Sequence, residues 1–146
     1  MITSSILDGK IPYRKQGCLK IVFSGTRNGD DLDVEITLDN RTLLTQTLTT
    51  KTTTFLHMFD DEPGEHELRI YLKGNPQGAM LHIHSIFIEG LNMKNVVENS
   101  GTCVMDNISH IPSEYMGQVG YQSLKFTTPI YPWLFANERY DTYYPH

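Results

Sequence analysis

The chain has 146 residues, which suits a single domain large enough to bury a core without disulfides or metal ions. Its formal charge of −5 and isoelectric point near 5.6 argue against a nucleic-acid surface, which needs clustered Lys and Arg side chains. No segment approaches the roughly 18 apolar residues of a membrane span, and the N-terminus lacks the pattern of a signal peptide. The two cysteines, Cys18 and Cys103, are compatible with reduced thiols or with one disulfide, and reduced thiols are favoured.

Alternation of apolar and polar residues predicts a series of short β-strands separated by turn-forming loops. The predicted strands cover, in chain order, residues 18–24, 32–38, 43–49, 51–59, 65–73, 79–89 and 121–127, with shorter ones at 96–97 and 103–105. Asp39-Asn-Arg41 is a tight-turn sequence, which makes the strands on either side of it a hairpin. In the strand over 79–89 the apolar phase changes near Ser85, which predicts a β-bulge or a change of sheet. Residues 107–120 are predicted to form a long loop.

The pattern as a whole predicts the fold class and its organisation. No long segment has the 3.6-residue period of an amphipathic helix, and strand signals recur about every ten residues. We therefore predict an all-β protein, an antiparallel β-sandwich that is jelly-roll-like or immunoglobulin-like. Its expected parts are an N-terminal arm at residues 1–17, a β-sandwich domain at 18–137 and a C-terminal aromatic tail at 138–146.

His82 and His84 form a His-x-His pair in the strand over 79–89. Side chains two residues apart point to the same face of a strand, about 7 Å apart at the Cα atoms, which is a spacing that suits a transition metal. A metal site needs at least one more ligand, and no sequence feature brings the candidates His57, His66 and Glu89 close. Two polar residues on a solvated or interfacial sheet face are therefore favoured, and no metal site is predicted.

Two acidic loops contain side-chain oxygens of the kind that calcium prefers. The first, Asn28-Gly-Asp-Asp-Leu-Asp33, would use Asp30, Asp31 and Asp33, but it lacks the EF-hand spacing. The second, Asp60-Asp-Glu-Pro-Gly-Glu65, is a weaker version of the same pattern. A polar inter-strand loop and a solvated turn are the favoured interpretations, and no cofactor is predicted.

The sequence contains no marker of catalysis, and we expect a protein that is not an enzyme. Cys18 and Cys103 lie in apolar, strand-like contexts without an activating motif, which favours small core residues over nucleophiles. No Asp or Glu lies in the apolar context that raises a carboxyl pKa, so glycoside hydrolysis by paired carboxylates has no support. Phosphate-binding loops, dinucleotide fingerprints and zinc-type Cys/His spacings are also absent from the sequence.

Aromatic residues are concentrated near the C-terminus, which contains the only tryptophan. Leu124 and Phe126 alternate with polar residues as in a half-buried strand, and Pro129 and Pro132 end the ladder of backbone hydrogen bonds. The apolar run over 130–135 predicts a lid over one end of the sandwich. Its aromatic side chains are expected to be structural anchors, whereas those of the polar tail are expected to bind a partner. The anchors are Tyr131, Trp133 and Phe135, and the partner-binding residues are Tyr140, Tyr143 and Tyr144.

The segment over 121–137 resembles the closing motif of small β-rich proteins of tailed phages, especially those that infect cyanobacteria. In that family a strand leads into Thr/Ser-Pro-x-Tyr-x-Trp-Leu-Leu-x-Asn. The matching positions are Thr128, Pro129, Tyr131, Trp133, Leu134 and Asn137, while Phe135 replaces the usual Leu. The hairpin over 38–44 and the strand over 64–70 are similar to the central portion of the same family. The resemblance implies a virion-associated β-sandwich without catalytic residues.

Two functions follow as hypotheses. The resemblance implies a structural component of a phage virion, such as a capsid decoration, neck, tail or baseplate protein, made in the host cytoplasm. Its arm and tail would bind other virion proteins in many copies within a symmetric assembly. The alternative is a carbohydrate-binding β-sandwich module, with or without calcium, because the Asp39-Asn40 hairpin is similar to hairpins of such modules. Its platform would use Tyr71, Tyr115 or Tyr121, with glycans as partners; neither nucleic acid nor a membrane is predicted as a partner.

Overall fold

The computed structural model of the chain describes residues 18–27, 29–58, 64–75, 78–130 and 133. Besides Ile130 and Trp133, which are helical, these residues form eleven strands and one seven-residue helix. In chain order they are β1 (Cys18–Gly25), β2 (Gly29–Leu38), β3 (Arg41–Leu48), β4 (Thr53–Met58), β5 (Gly64–Gly74), β6 (Leu81–Ile88), β7 (Leu91–Asn92), α1 (Lys94–Ser100), β8 (Thr102–Met105), β9 (Ile108–His110), β10 (Tyr115–Met116) and β11 (Gly120–Thr128). The described part of the chain has no helix that is long and apolar enough to cross a membrane.

The strands form two antiparallel sheets, and the predicted β-sandwich is confirmed. The six-stranded sheet has the order β9-β8-β11-β5-β2-β3. The five-stranded sheet has the order β10-β6-β1-β4, with the short β7 paired to β6. Strands that are distant in sequence therefore become neighbours, above all β5 and β11 in the middle of the six-stranded sheet.

Alternating apolar side chains of both sheets form one core between them. In β2, every second side chain from Leu32 to Leu38 is fully buried, whereas Asp33 between them is exposed. The five-stranded sheet contributes Leu19, Ile21, Phe23, Leu81, Ile83, Ile86 and Ile88 from its inner face. Period-two alternation puts these residues in the core. Full burial of one such side chain contributes about 2 kcal/mol.

The predicted change of phase in the strand over 79–89 is a β-bulge. Val22 in β1 pairs with Ser85 in β6, but the next residue, Phe23, pairs with Ile83. His84 is therefore an extra residue on the bulged strand. The bulge explains how Ile83 and Ile86, an odd and an even position, both reach the core.

The predicted hairpin and the predicted end of the last strand are also present. The turn between β2 and β3 contains Asp39 and Asn40, whose φ angles of 53° and 66° are both left-handed. Two consecutive left-handed residues are what a type I′ hairpin turn requires. At the other end, β11 stops at Thr128, one residue before Pro129, and Ile130 beyond it is 1% exposed.

The region between β6 and β11 departs most from the sequence prediction. Val96 and Val97, predicted as a short strand, lie in α1, where both side chains are buried. Valine favours strands because its β-branch restricts the side chain, but burial against the core outweighs this preference. Residues 107–120 were predicted as a loop but contain the strands β9 and β10. β9 lies at one edge of the six-stranded sheet, and β10 lies at one edge of the five-stranded sheet. Strands this short carry no periodic signal.

Candidate functional site

The outer face of the six-stranded sheet carries a pair of tyrosines on neighbouring strands. β5 alternates, so that Ile70 faces the core while Arg69 and Tyr71 face outwards. The antiparallel register of β5 and β11 places Tyr121 directly opposite Tyr71. The two ring centroids are 5.5 Å apart at an interplanar angle of 47°. Both rings are half-buried, and we call Tyr71 and Tyr121 the tyrosine platform.

Two cations hold the tyrosine platform in place. The Arg69 guanidinium carbon lies 4.4 Å from the ring centroid of Tyr121, which is a cation–π arrangement. Arg69 Nη1 donates a hydrogen bond to the Tyr71 hydroxyl at 3.2 Å, and its Nε donates one to Glu67 Oε2 at 3.0 Å. The Lys73 ammonium nitrogen lies 5.0 Å from the ring centroid of Tyr71. Each ring thus has a fixed charged neighbour.

Hydrogen bonds stabilise the charged forms of Arg69 and Glu35 beside the platform. The hydrogen bond to the Tyr71 hydroxyl is the largest cause that holds the pKa of Arg69 above its usual range. On the neighbouring β2, the hydrogen bond from Lys73 Nζ, followed by one from the Thr42 hydroxyl, lowers the pKa of the Glu35 carboxyl. This surface offers partly exposed aromatic rings beside charged donors and acceptors.

Tyr115, the third tyrosine of the predicted platform, lies on the other sheet. It belongs to β10, and its ring stacks on that of His82 with 4.4 Å between centroids and an angle of 12°. Tyr115 is therefore separated from Tyr71 and Tyr121 by the thickness of the sandwich. The structure brings two of the three predicted tyrosines together.

The His-x-His pair lies on one face, as predicted, within a polar network. The ring centroids of His82 and His84 are 4.0 Å apart. His82 Nε2 is 2.9 Å from Glu114 Oε1, and His84 Nε2 is 2.8 Å from Ser24 Oγ. Lys94 Nζ lies 2.7 Å from Glu114 Oε2. Among the residues that the structure describes, no three His, Cys, Asp or Glu side chains are placed to hold a metal ion.

This network shifts the pKa of three of its members. Burial, and after it the charge of His82, lowers the pKa of His84. The hydrogen bond from Lys94, and after it the one from His82, lowers the pKa of Glu114. The same contact with Glu114 raises the pKa of Lys94. The network therefore favours neutral imidazole at His84 next to an ion pair.

The residues that the sequence offered as a third metal ligand lie elsewhere. His57 lies on β4, where its ring is parallel to that of Phe55. His66 belongs to the six-stranded sheet, and Glu89 Oε1 accepts a hydrogen bond from the backbone N–H of Ile130. Glu114, which contacts His82, was missed because its place before a two-residue strand has no sequence signal.

The predicted calcium loops are described in part. Asp33 lies on β2, where the Thr47 hydroxyl donates a hydrogen bond to its Oδ1 at 3.4 Å. The side chains of Asp30 and Asp31 lie outside the described residues, as does the first part of the acidic turn, residues 60–63. Asp33 alone does not form a calcium site.

A concave surface lies where β5 and β11 extend beyond the end of β2. The pairing of β2 with β5 ends at Leu38 and Leu68, whereas β5 remains paired with β11 as far as Gly64. The resulting open cleft has a volume of about 550 Å³, and we call it the end cleft. It is lined by Asp39, Asn40, Glu65, His66, Glu67, Lys125, Phe126, Thr127 and Trp133. Carboxylates, a lysine and an indole thus surround one space.

His66 fixes one wall of the end cleft. Its Nδ1 is 2.8 Å from Asp39 Oδ2, and its Nε2 is 3.1 Å from Thr128 Oγ1. Asp39 Oδ1 also accepts a hydrogen bond from the backbone N–H of Glu67 at 2.8 Å. The order Thr–His–Asp has the connectivity of a hydrolytic triad. Because Thr128 is 5% exposed, its hydroxyl is closed to a substrate, and the network ties the end of the sheet together.

Of the predicted aromatic anchors, Trp133 is the one that the structure describes. It is half-buried and packs against the core, while it also lines the end cleft. The other predicted anchors, the predicted partner-binding residues and both predicted terminal segments lie outside the described residues. These are Tyr131, Phe135, Tyr140, Tyr143, Tyr144, the arm at 1–17 and the tail at 138–146.

The two predicted core cysteines are free in the structure and lie on different sheets. Cys103 on β8 is buried, and this burial raises the pKa of its thiol. Cys18 at the start of β1 is half-buried. A buried thiol with a raised pKa is a poor nucleophile, which agrees with a packing role for Cys103.

Comparisons with known proteins concern the fold. A scan against protein-family models finds no match, and a search of curated proteins finds none either. The solved structure of vCBM60 in complex with galactobiose is similar with a TM-score of 0.54 and 20% identity, covering 73% of this chain and 95% of that one. The selenomethionine form of vCBM60, described with a circular permutation that links two families of calcium-dependent carbohydrate-binding modules, gives a TM-score of 0.56 at 20% identity. It covers 73% of this chain and 87% of its own. The chain therefore has a β-sandwich fold similar to that of carbohydrate-binding modules.

Proposed function

We propose that this protein is a glycan-binding module without catalytic activity, and that saccharides bind on the tyrosine platform. The observation that carries the proposal is the pairing of Tyr71 and Tyr121, with Arg69 hydrogen-bonded to one ring and stacked on the other. This is the second of the two hypotheses from the sequence, and the geometry of the outer sheet face favours it over the first.

The chemistry of the platform suits a sugar. A pyranose has apolar C–H faces and a rim of hydroxyl groups, so it needs an aromatic ring below it and polar groups at its edges. Tyr71 and Tyr121 supply the rings, Arg69 and Lys73 supply donors, and Glu67 supplies an acceptor. These groups already contact one another, so binding immobilises few additional side chains.

The similar solved structures support the same class of function. Both are carbohydrate-binding modules, and one of them is in complex with galactobiose. At 20% identity this support concerns the fold. The site itself rests on Tyr71, Tyr121 and Arg69 of this chain.

A glycan array followed by calorimetric titration with the glycans it selects, and with galactobiose, tests the proposal. Tyr71→Ala and Tyr121→Ala are each expected to weaken binding by about tenfold, since each removes one stacking surface. Tyr115→Ala is the matched control, because it removes the same side chain from the other sheet. Unchanged affinity of the Tyr71→Ala/Tyr121→Ala double variant, or no glycan binding by the intact chain, would overturn the proposal.

The sequence favoured no cofactor, but it left open a calcium-assisted form of this function. Titration in the presence of a chelator, and again after calcium is restored, tests it. Binding by the intact chain that is lost with the chelator and returns with calcium, but does not return in Asp33→Asn, would support a role for the loop over 28–33. Equal affinity under both conditions would exclude calcium and leave the platform proposal intact.

Binding to a protein partner is a second candidate, and it includes the virion role that the C-terminal motif implies. One observation favours it: β4 lies at the edge of the five-stranded sheet, and its residues Leu56 and Met58 are 62% and 67% exposed. Among the described strands β4 pairs with β1 alone, and an open apolar edge is a surface for other chains. An oligomer in light scattering that Leu56→Lys/Met58→Lys dissolves, or that deletion of 138–146 dissolves, would support this function. A monomer at all concentrations would oppose self-assembly.

A further inference from the structure

We infer that the ligand is a neutral oligosaccharide longer than a disaccharide, bound along β5 and β11 from the tyrosine platform to the end cleft. This inference rests on the proposed function and specifies its ligand. It is carried by the outward residues of β5 and β11, which run from the tyrosine platform to the end cleft, and by the charges along them.

The two surfaces lie on the same two strands. Going back along β5 from Tyr71, the outward positions are Arg69, Glu67 and Glu65, and the last two line the end cleft. β11 runs beside β5 in the opposite direction, with Tyr121 opposite Tyr71 and Lys125 opposite Glu67. Six residues of strand separate Tyr71 from Glu65, which corresponds to about 20 Å. A ligand that touches both surfaces must therefore be longer than a disaccharide.

A continuous set of contacts joins the platform to the cleft. Arg69 contacts both platform rings, and its Nε donates a hydrogen bond to Glu67 at 3.0 Å. Glu67 in turn is a lining residue of the end cleft. No strand crosses between them, since Arg69 and Glu67 are successive outward residues of β5. The outward residues thus form one track from the tyrosine platform to the end cleft, and Trp133 lines that cleft where it packs against the core.

Aromatic side chains at both ends of the track give it two stacking positions. The tyrosine platform supplies the first, and the half-buried indole of Trp133, which lines the cleft, supplies the second. A long glycan engages both stacking positions together, and the second contact then strengthens the first at little entropic cost. A disaccharide on the platform leaves Trp133 without a ligand contact.

The charges of the track favour a neutral glycan over a polyanionic one. The cleft is lined by the carboxylates of Asp39, Glu65 and Glu67, with Lys125 as the opposing ammonium group. On the platform, Arg69 is already paired with Glu67. Counted along the whole track, the four carboxylates of Glu35, Asp39, Glu65 and Glu67 outnumber the three cations of Arg69, Lys73 and Lys125. A uronate or sulfate group would therefore meet a surface with more negative than positive charge, and like charges in a site disfavour binding.

Calorimetric titration with galacto-oligosaccharides, gluco-oligosaccharides and xylo-oligosaccharides of increasing length tests the inference. For the series that binds, affinity is expected to rise by about tenfold or more between the disaccharide and the tetrasaccharide. Trp133→Ala should reduce the affinity for the tetrasaccharide to that for the disaccharide, without changing the latter. Tyr71→Ala should weaken both. Circular dichroism of Trp133→Ala confirms that the variant is folded.

A second, milder variant addresses the charge and does not depend on the indole. Glu65 is exposed, so Glu65→Lys leaves the core untouched. It is expected to improve binding of oligogalacturonates, which the intact chain should bind at least about tenfold more weakly than galacto-oligosaccharides of equal length. Affinity that is independent of chain length would overturn the extended track and leave the proposed function standing. Oligogalacturonates that bind as tightly as the neutral series would overturn the charge preference, and failure of every glycan would overturn the proposed function itself.

Discussion

A single arginine organises the tyrosine platform. Arg69 stacks on Tyr121 and donates hydrogen bonds to Tyr71 and Glu67. The guanidinium group can do both because it is planar, so its face and its edge are used at the same time. Lysine at this position would keep the charge and lose the geometry. At the scale of one residue, the orientation of the platform therefore depends on the shape of a side chain as well as on its charge.

The histidine network on the opposite sheet gives a pH dependence of stability. Burial, and then His82, lowers the pKa of His84 below its ordinary value of 6.5. As the pH falls below 6.5, the unfolded chain binds a proton at His84 before the folded chain does, so unfolding becomes more favourable. The contribution of His84 to stability is therefore complete above pH 6.5 and declines towards its folded pKa. Urea unfolding at a series of pH values from 7 to 5 is expected to show decreasing midpoints.

Two substitutions isolate His84 from the other titrating groups. The groups that face His84 are Ser24, His82, Glu114 and Lys94. The pKa of Glu114 is lowered from 4.5, so it lies below the range from pH 7 to pH 5. His84→Gln is expected to flatten the decline. Substitution of His110, which is exposed on β9, should leave the decline as it is. Equal slopes for His84→Gln and the intact chain would contradict the assignment.

At the scale of the elements, one glycine allows β8 to pair with β11. A Cβ atom on Gly120 would lie 2.7 Å from the Cα of Met105 and 2.8 Å from the carbonyl carbon of Val104, both in the backbone of β8. Gly120→Ala should therefore push the strands apart and lower the free energy of unfolding by about 3 kcal/mol. Gly117→Ala is the control, since its Cβ would make an ordinary contact of 3.5 Å with the flexible Met80 side chain.

Urea titration followed by far-ultraviolet circular dichroism measures both variants. Gly117→Ala should stay within about 0.5 kcal/mol of the intact chain. A similar loss in the two variants would mean that β8 yields easily, and that the close approach at Gly120 is not what determines the cost.

The long strands could be predicted from the sequence, and the short elements could not. In β2 the alternation from Leu32 to Leu38 is unbroken, so both the strand and its buried face were readable. Helix α1 has no side-chain hydrogen bond at its N-cap and no acidic residue in its first turn. It has seven residues and forms through the burial of Val96 and Val97, which is a tertiary effect with no local signature.

The candidate site was readable in part for the same reason. Residues 69 and 71 share a parity, so the sequence placed Arg69 and Tyr71 on one face of β5. The partnership of Tyr71 with Tyr121 depends on the order of strands in the sheet, which joins segments fifty residues apart. Alternation fixes the face of each side chain, but it carries no information on which strand lies beside which. Tyr115 was grouped with the other two tyrosines because of this gap.

At the scale of the whole molecule, both sheets share one core, and we expect them to unfold together. Buried residues of the two inner faces form a single cluster, and Trp133 packs against it. Because Trp133 is the only tryptophan, its fluorescence reports on the end of the sandwich, while far-ultraviolet circular dichroism reports on all strands. The two signals should give coincident urea transitions. Ile36→Val, in the centre of β2, should lower the free energy of unfolding by about 1 kcal/mol and should lower both midpoints together.

Separate transitions would contradict this expectation. Loss of the fluorescence signal at a lower urea concentration than the dichroism signal would show that the end cleft opens before the sheets separate. Far-ultraviolet dichroism of Trp133→Phe provides the reference, since it should give one transition, at a midpoint lowered only by the contacts that the smaller ring loses with the core.

The alternation of β5 also separates core-facing positions from outward-facing positions, so residues at the two kinds of position can be changed independently. Ile70 and Leu72 face the core and maintain the fold, whereas Arg69 and Tyr71 face outwards. Exchanges at exposed surface positions away from hydrogen-bond networks, which here are Glu65 and Lys125, usually change stability by no more than about 0.5 kcal/mol. A combinatorial library at these exposed positions of β5 and β11 would therefore consist mostly of folded members, and selection from it could produce new binding preferences on an unchanged framework.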